Sequence, residues 1–204
     1  MARWGKCDCK QLKGLEKKLA QLEQGEWDQS CRQAARELAA ILLTKVIKRT
    51  PVGVKPKLGR KTVTRTGKGG KKYKLLTVAG VRYETYWAGY TGGTLRRGWL
   101  SKTEEEARSG GGAGSVLAHV EALPTEHDGN TYQIIVENPV HYASYVEYGH
   151  RQTPGRYVPA LGKSLKANWV DGRYMLTISA MEVQEMAPAV VERALYQGLK
   201  ETLG

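Results

Sequence analysis

The chain has 204 residues, 41% apolar and 25% charged, with a formal net charge of +12. These are globular values, so intrinsic disorder is excluded, and a domain of this length buries roughly 70% of its unfolded surface. The longest strongly apolar stretch, Leu38 to Leu43, falls far short of the ~20 residues of a spanning helix. No signal-peptide core follows Met1, and three cysteines, two of them as Cys7-x-Cys9, make no disulfide framework. Together these predict a soluble protein made in a reducing cytoplasm.

In chain order, Leu12, Leu15, Leu19 and Leu22 form one helical stripe that stops near Gly25. A second helix, about 33 Å long, is expected from Asp28 as N-cap to Arg49. Cys31, Ala35, Leu38, Leu42 and Val46 would line one face, and Pro51 would end it. No Asp or Glu occurs from Leu38 to Tyr83, a window with thirteen bases. Such a block is either a solvated loop or an appendage with its own acidic partner.

Val52 to Gly70 has no period and reads as a loop or arm. Tyr73 to Val78 and Val81 to Trp87 flank Ala79-Gly80 and suggest a β-hairpin. Leu95 to Leu100 reads as a short strand and Ser109 to Gly114 as a flexible linker. Residues 116–122 and 132–136 alternate around the turn residues Asp128-Gly129-Asn130, which predicts an antiparallel pair. Ser179-x-x-Glu182 is a capping box for a closing helix, with Val183, Met186, Val190, Ala194 and Leu195 on its apolar face. Pro188 should kink or restart that helix.

The fold class is therefore α+β: a small antiparallel β-sandwich or sheet packed by a long N-terminal and a C-terminal helix, with a long basic β-hairpin arm. We take residues 1–204 as a single domain and 54–90 as an arm inserted in it.

Candidate chemistry is sparse. Cys7, Cys9 and Cys31 lack the usual zinc spacing and a fourth ligand, so no metal or other cofactor is expected, and Cys31 reads as a small apolar residue on a helix face. His141 and Glu147 could be drawn as an acid–base set. His119, His127 and His150 fall in no metal motif, and no nucleophile elbow, P-loop or dinucleotide fingerprint is present. The arm cations Lys55, Lys57, Arg60, Lys61, Arg65, Lys68, Lys71, Lys72, Lys74 and Arg82, interleaved with Tyr73, Tyr83, Tyr86 and Trp87, could neutralise phosphates and stack bases. No nucleic-acid recognition motif accompanies them.

Four stretches carry a resemblance. They are Lys45-x-x-Lys48-Arg49-Thr50-Pro51-Val52-Gly53, Thr91-Gly92-Gly93-Thr94-Leu95-Arg96-Arg97-Gly98-Trp99, Tyr142-Ala143-Ser144-Tyr145-Val146-Glu147-Tyr148-Gly149-His150 and Pro154-Gly155-Arg156-Tyr157-Val158-Pro159-Ala160-Leu161. In that order, over Leu12 to Leu203, they resemble the small head–tail joining, neck or tail-completion proteins of tailed bacteriophages, of the lambdoid gene-product-ten type. The Tyr142 to Gly149 stretch, which the resemblance implies is a strand, is the most specific. Gly98 stands where the family commonly has Ser. Gly53 and Gly92, near neighbours in the family, are here thirty-nine residues apart, and the basic arm fills that insertion.

The resemblance implies a structural virion protein, not an enzyme. It would form a ring, usually of six, at the head–tail junction, between connector or head-closure and tail-terminator or tail-tube rings, with genomic DNA passing through. Arg96, Arg97, Trp99, Tyr142, Tyr145, Glu147, Tyr148, Arg156 and Tyr157 are the expected subunit contacts. The arm would touch DNA phosphates or, as the apolar character of Tyr73 to Trp87 favours, an acidic neighbouring ring. A tail-terminator ring and a non-virion nucleic-acid-binding protein are the alternatives; a hydrolase using His141 and Glu147 ranks last.

Overall fold

The computed structural model describes residues 27–59, 61–112, 114–129 and 131–203. The expected helix over residues 12–22, Cys7, Cys9 and Arg60 lie outside them. The class is α+β, with long helices toward each end of the chain. Among the described residues the strands pair as four separate two-stranded antiparallel ladders, and no sandwich forms. The physical reason is length: the ladders have two to five residues per strand and helices interrupt them, too little to build a layered sheet.

The chain makes two compact units. One comprises described residues 27–48, 114–137 and 176–203; the other, 49–112 and 138–175.

The first unit is built on α1 (Trp27–Arg49) and α7 (Met175–Leu203). Glu37 pairs with Arg193, and Lys45 with Glu182 at 2.8 Å. Advancing along α1 runs backward along α7, so the helices are antiparallel. Gly198 of α7 lies against Ser30 of α1.

This close approach explains a correction. The buried line of α1 is Ser30, Ala34, Ala39, Leu43 and Val46, while Cys31, Ala35, Leu38 and Leu42 are half-buried. Small residues, which carry little hydrophobic signal, occupy the tightest contact. Gly198→Leu would drive a side chain into Ser30. Overpacking of this kind costs about 1–3 kcal/mol, so a thermal melt should show a midpoint lower by roughly 5 °C.

Helix α7 starts at Met175, before the capping box, and Ser179 is buried inside it. It runs through Pro188 without interruption.

Helix α5 (Val116–Ala122) replaces an expected strand. Ser115 caps it by accepting from the Ala118 amide at 3.1 Å, and the Val116–Val120 spacing suits a helix as well as alternation suits a strand. The expected turn at Asp128-Gly129 is present, but it joins β3 (Glu126–Asp128) to β4 (Thr131–Gln133). Asp28 ties that ladder to α1: its carboxylate accepts from the Tyr132 hydroxyl at 2.8 Å and from Arg32 at 2.6 Å. Those bonds hold its pKa below the usual carboxylate range.

The second unit contains α2 (Val78–Tyr86), α3 (Thr94–Gly98), α4 (Glu104–Ser109) and α6 (Ala143–Tyr148), four short helices. Its ladders pair β1 (Thr62–Thr66) with β2 (Lys72–Leu76), β5 (Gly149–Arg151) with β8 (Trp169–Asp171), and β6 (Tyr157–Val158) with β7 (Lys163–Ser164). Tyr83, Leu95, Trp99, Ala107, Val140 and Met175 are its buried apolar residues.

Three expectations change here. The hairpin is displaced: its turn is Gly67 to Lys71, with Gly69 and Gly70 in the left-handed region, and Val81 to Trp87 lies in α2 and its C-cap. Thr77 decides this, because its hydroxyl caps α2 by accepting from the Gly80 amide at 2.9 Å. Residues 95–100 begin in α3, entered through Gly93 at φ 78°. Residues 143–148 of the most specific motif form α6, not a strand.

Candidate docking surface

From Arg49 on, the family motifs meet in the second unit. Thr50 is fully buried, and its hydroxyl accepts from the Trp99 indole N–H at 2.8 Å. Its carbonyl accepts from Arg96 Nε at 3.1 Å and Nη2 at 2.7 Å. One threonine thus anchors two residues from a motif more than forty positions on.

Arg97 donates to the carbonyls of Ala107 at 2.8 Å and Gly92 at 2.9 Å. Beside Gly98, the Asn138 side chain donates to the Leu95 carbonyl at 2.9 Å and accepts from the Val140 amide at 3.1 Å. A Cβ at position 98 would meet Asn138 and Val140, so glycine suits this site where the family commonly has Ser.

These stretches line an open cleft of about 490 Å³, with Pro51 and Val52 from the first motif, Leu95 from the second and Tyr142 and Val146 from the third. Tyr86, Trp87 and Tyr90 complete it. Trp87 and Tyr90 meet edge to face at 4.6 Å, and the Trp87 N–H donates to the Ala160 carbonyl at 2.7 Å. Burial is the main cause that pushes the Tyr142 phenol pKa up.

The expected contact residues divide by exposure. Trp99 and Glu147 are buried, Arg96, Arg97 and Tyr142 are half-buried, and Tyr145, Tyr148, Arg156 and Tyr157 are exposed. The buried ones hold the unit together; the exposed tyrosines can reach a partner.

His141 is engaged by another carboxylate, that of Glu104. The His141 ring lies 2.9 Å from the Glu104 carboxylate, which also accepts from the His141 amide at 3.2 Å, while Glu147 is buried on α6. Bonds from the His141 ring, then its amide, lower the Glu104 pKa to about 2, with Arg108 adding to the effect. A depressed carboxyl pKa stabilises the fold above its ordinary value of 4.5 and loses that contribution as pH falls toward 2. Carboxyl NMR should therefore place the Glu104 midpoint near 2, and Glu104→Gln should flatten the acid limb of the melting curve between pH 4.5 and 2.

The arm cations fall into two groups. Lys55 and Lys61 pair with Glu84 at 3.2 and 3.1 Å and lie over the Tyr83 ring; they fasten the arm's base. Lys57, Arg65, Lys68, Lys71, Lys72, Lys74 and Arg82 are exposed, and none makes an ion pair among the described residues. No group of three metal-ligating side chains occurs among the described residues, and no helix there is long and apolar enough to cross a membrane.

Over residues 13–149 the chain matches the family model described as "Bacteriophage HK97-gp10, putative tail-component". The matched span is well over half of the sequence. The chain belongs to this family. The HK97-gp10-like match contains the first two motifs and the third as far as Gly149, so the Pro154 to Leu161 stretch lies beyond it. No curated protein and no solved structure matches the chain.

Sequence reasoning missed the meeting of Thr50 with Arg96 and Trp99, because nothing in a linear pattern pairs residues that far apart. It also missed Glu104, for which the run Glu104-Glu105-Glu106 after Thr103, a helix start, was the available signal.

Proposed function

We propose that this tail-component family member is a structural subunit of the virion. Copies of it form a ring at the head–tail junction, between the connector and the tail tube, and genomic DNA passes through. The observation that carries this reading is the use of the family motifs. They build one small unit with exposed Tyr145, Tyr148 and Tyr157, and the insertion between the first two motifs adds a basic ribbon. Exposed tyrosines are typical interface anchors.

The test is to interrupt the gene in its phage and image the lysate by negative stain. Full heads and separate tails are expected, with joining restored by the gene in trans. Joined, infectious particles would overturn the reading, and tails of irregular length would move the ring from the junction to the tail end.

A further inference from the structure

The ribbon β1–β2 has two unlike faces. Residues directly opposite in an antiparallel ladder share a face. The pairs Val63–Leu75 and Arg65–Tyr73 therefore form one face, and Thr62–Leu76, Thr64–Lys74 and Thr66–Lys72 the other. All ten residues are exposed. A lone two-stranded ribbon is marginal in water, so a face carrying Val63, Tyr73 and Leu75 calls for a cover.

The complement lies on α7. Ile178, Met181, Glu185, Ala189, Glu192 and Tyr196 follow helical spacing and are all exposed, Met181 at 61% and Tyr196 at 68%. The inward stripe is a different set, with Ser179, Val190 and Ala194 buried. The outward face thus combines apolar side chains with two carboxylates, and the ribbon combines apolar side chains with cations.

Glu185 and Glu192 are two turns apart, about 10 Å, and the ribbon offers Arg65 on its apolar face and Lys68 in the turn at its tip. Charge is also divided between the units. Among its described residues, the ribbon's unit holds nineteen bases and six acids. Among its described residues, α7's unit holds ten acids and six bases.

We propose that the apolar face of the ribbon docks on the outward face of α7 of a second copy of this chain, with Arg65 and Lys68 meeting Glu185 and Glu192. The proposal rests on the ring reading and names one of its contacts. The two surfaces differ, so the contact is head-to-tail, the kind that closes a ring when repeated with the right rotation. Opposite charge fixes the register and speeds encounter. A phosphate backbone would satisfy the cations but leave Val63, Tyr73 and Leu75 uncovered.

The test uses two surface variants of the full chain, Arg65→Ser/Leu75→Ser and Glu185→Arg/Glu192→Arg; the first leaves no carboxylate on the ribbon that could pair with the arginines of the second. Circular dichroism confirms their folding, and native mass spectrometry reads assembly of each protein, alone and with isolated tails. The wild type should form rings, and each variant should remain monomeric. Mixed one to one, the variants should give dimers and nothing larger, because one intact ribbon still meets one intact helix. Lys72→Gln/Lys74→Gln, on the outer face, should leave rings unchanged.

Rings from either of these two variants would overturn this contact and leave the ring reading standing. Two monomeric variants that give no dimer on mixing would overturn the pairing. A wild type that stays monomeric in both settings would remove the ring reading and the contact with it. If the ribbon variant still forms rings but loses salt-sensitive DNA binding, the ribbon's partner is nucleic acid.

Discussion

Gly149→Ala should lower the melting temperature by about 10 °C or abolish soluble expression. Gly149 ends α6 at φ 85° and ψ 175°, a region essentially confined to glycine, where other residues pay about 1–3 kcal/mol in strain. A Cβ there would also strike the Val170 carbonyl and come within 2.9 Å of the Gly172 amide nitrogen across the β5–β8 ladder. Both obstacles are backbone, so no side chain can swing aside, and overpacking adds about 1–3 kcal/mol. At roughly 2–4 °C per kcal/mol for a chain of this size, the sum gives the stated shift. The final glycine of the most specific family motif thus has a geometric cause. Ala143→Gly on the same helix should cost only about 1 kcal/mol, and a melt comparing the two separates motif geometry from helix propensity.

Trp99→Ala should destabilise the second unit by about 3–5 kcal/mol, the usual range for a buried tryptophan. Trp99 is 3% exposed and its N–H is engaged by the Thr50 hydroxyl, so truncation opens a cavity and removes a donor from a buried oxygen. Thr50→Val probes the polar part alone. It keeps the volume but removes the acceptor from a buried indole N–H, at about 1–3 kcal/mol. Chemical denaturation followed by tryptophan fluorescence of the remaining indoles measures the first, and the same titration ranks the second below it. Equal effects would mean that packing contributes little there and the hydrogen bond dominates.

Some of this architecture was legible in the sequence. The helix ending at Arg49 followed from its apolar period and Pro51, and the turn at Asp128-Gly129 from its residue types. The run of exposed cations from Lys57 to Arg82 followed from a stretch without acids. Other elements were hidden because two periods fit them. Val116 to Ala122 alternates, yet Ser115 supplies the cap that a helix needs. Tyr142 to Gly149 is rich in residues that favour strands, yet it forms a helix closed by a glycine only that backbone requires. Thr77 had the same deciding role for α2. In each case a single hydroxyl or glycine outweighed the propensity of the run beside it.

The candidate surface was legible only in part. The exposed cations of the arm and the exposed tyrosines are sequence features. Their division into two ribbon faces depends on register, and the register depends on a turn at Gly67 to Lys71 that reads as featureless loop. The roles of Arg96 and Trp99 changed for a similar reason. Both types are common interface anchors, but the Thr50 carbonyl and hydroxyl draw them inward.

The central claim is that copies of this chain close into a ring. The most direct test is the mass of the purified full chain by native mass spectrometry, alone and after incubation with isolated tails. The account predicts a single closed species, usually of six copies, in at least one of the two settings. A monomer in both, or an open series of ever larger oligomers without a closed product, would contradict it.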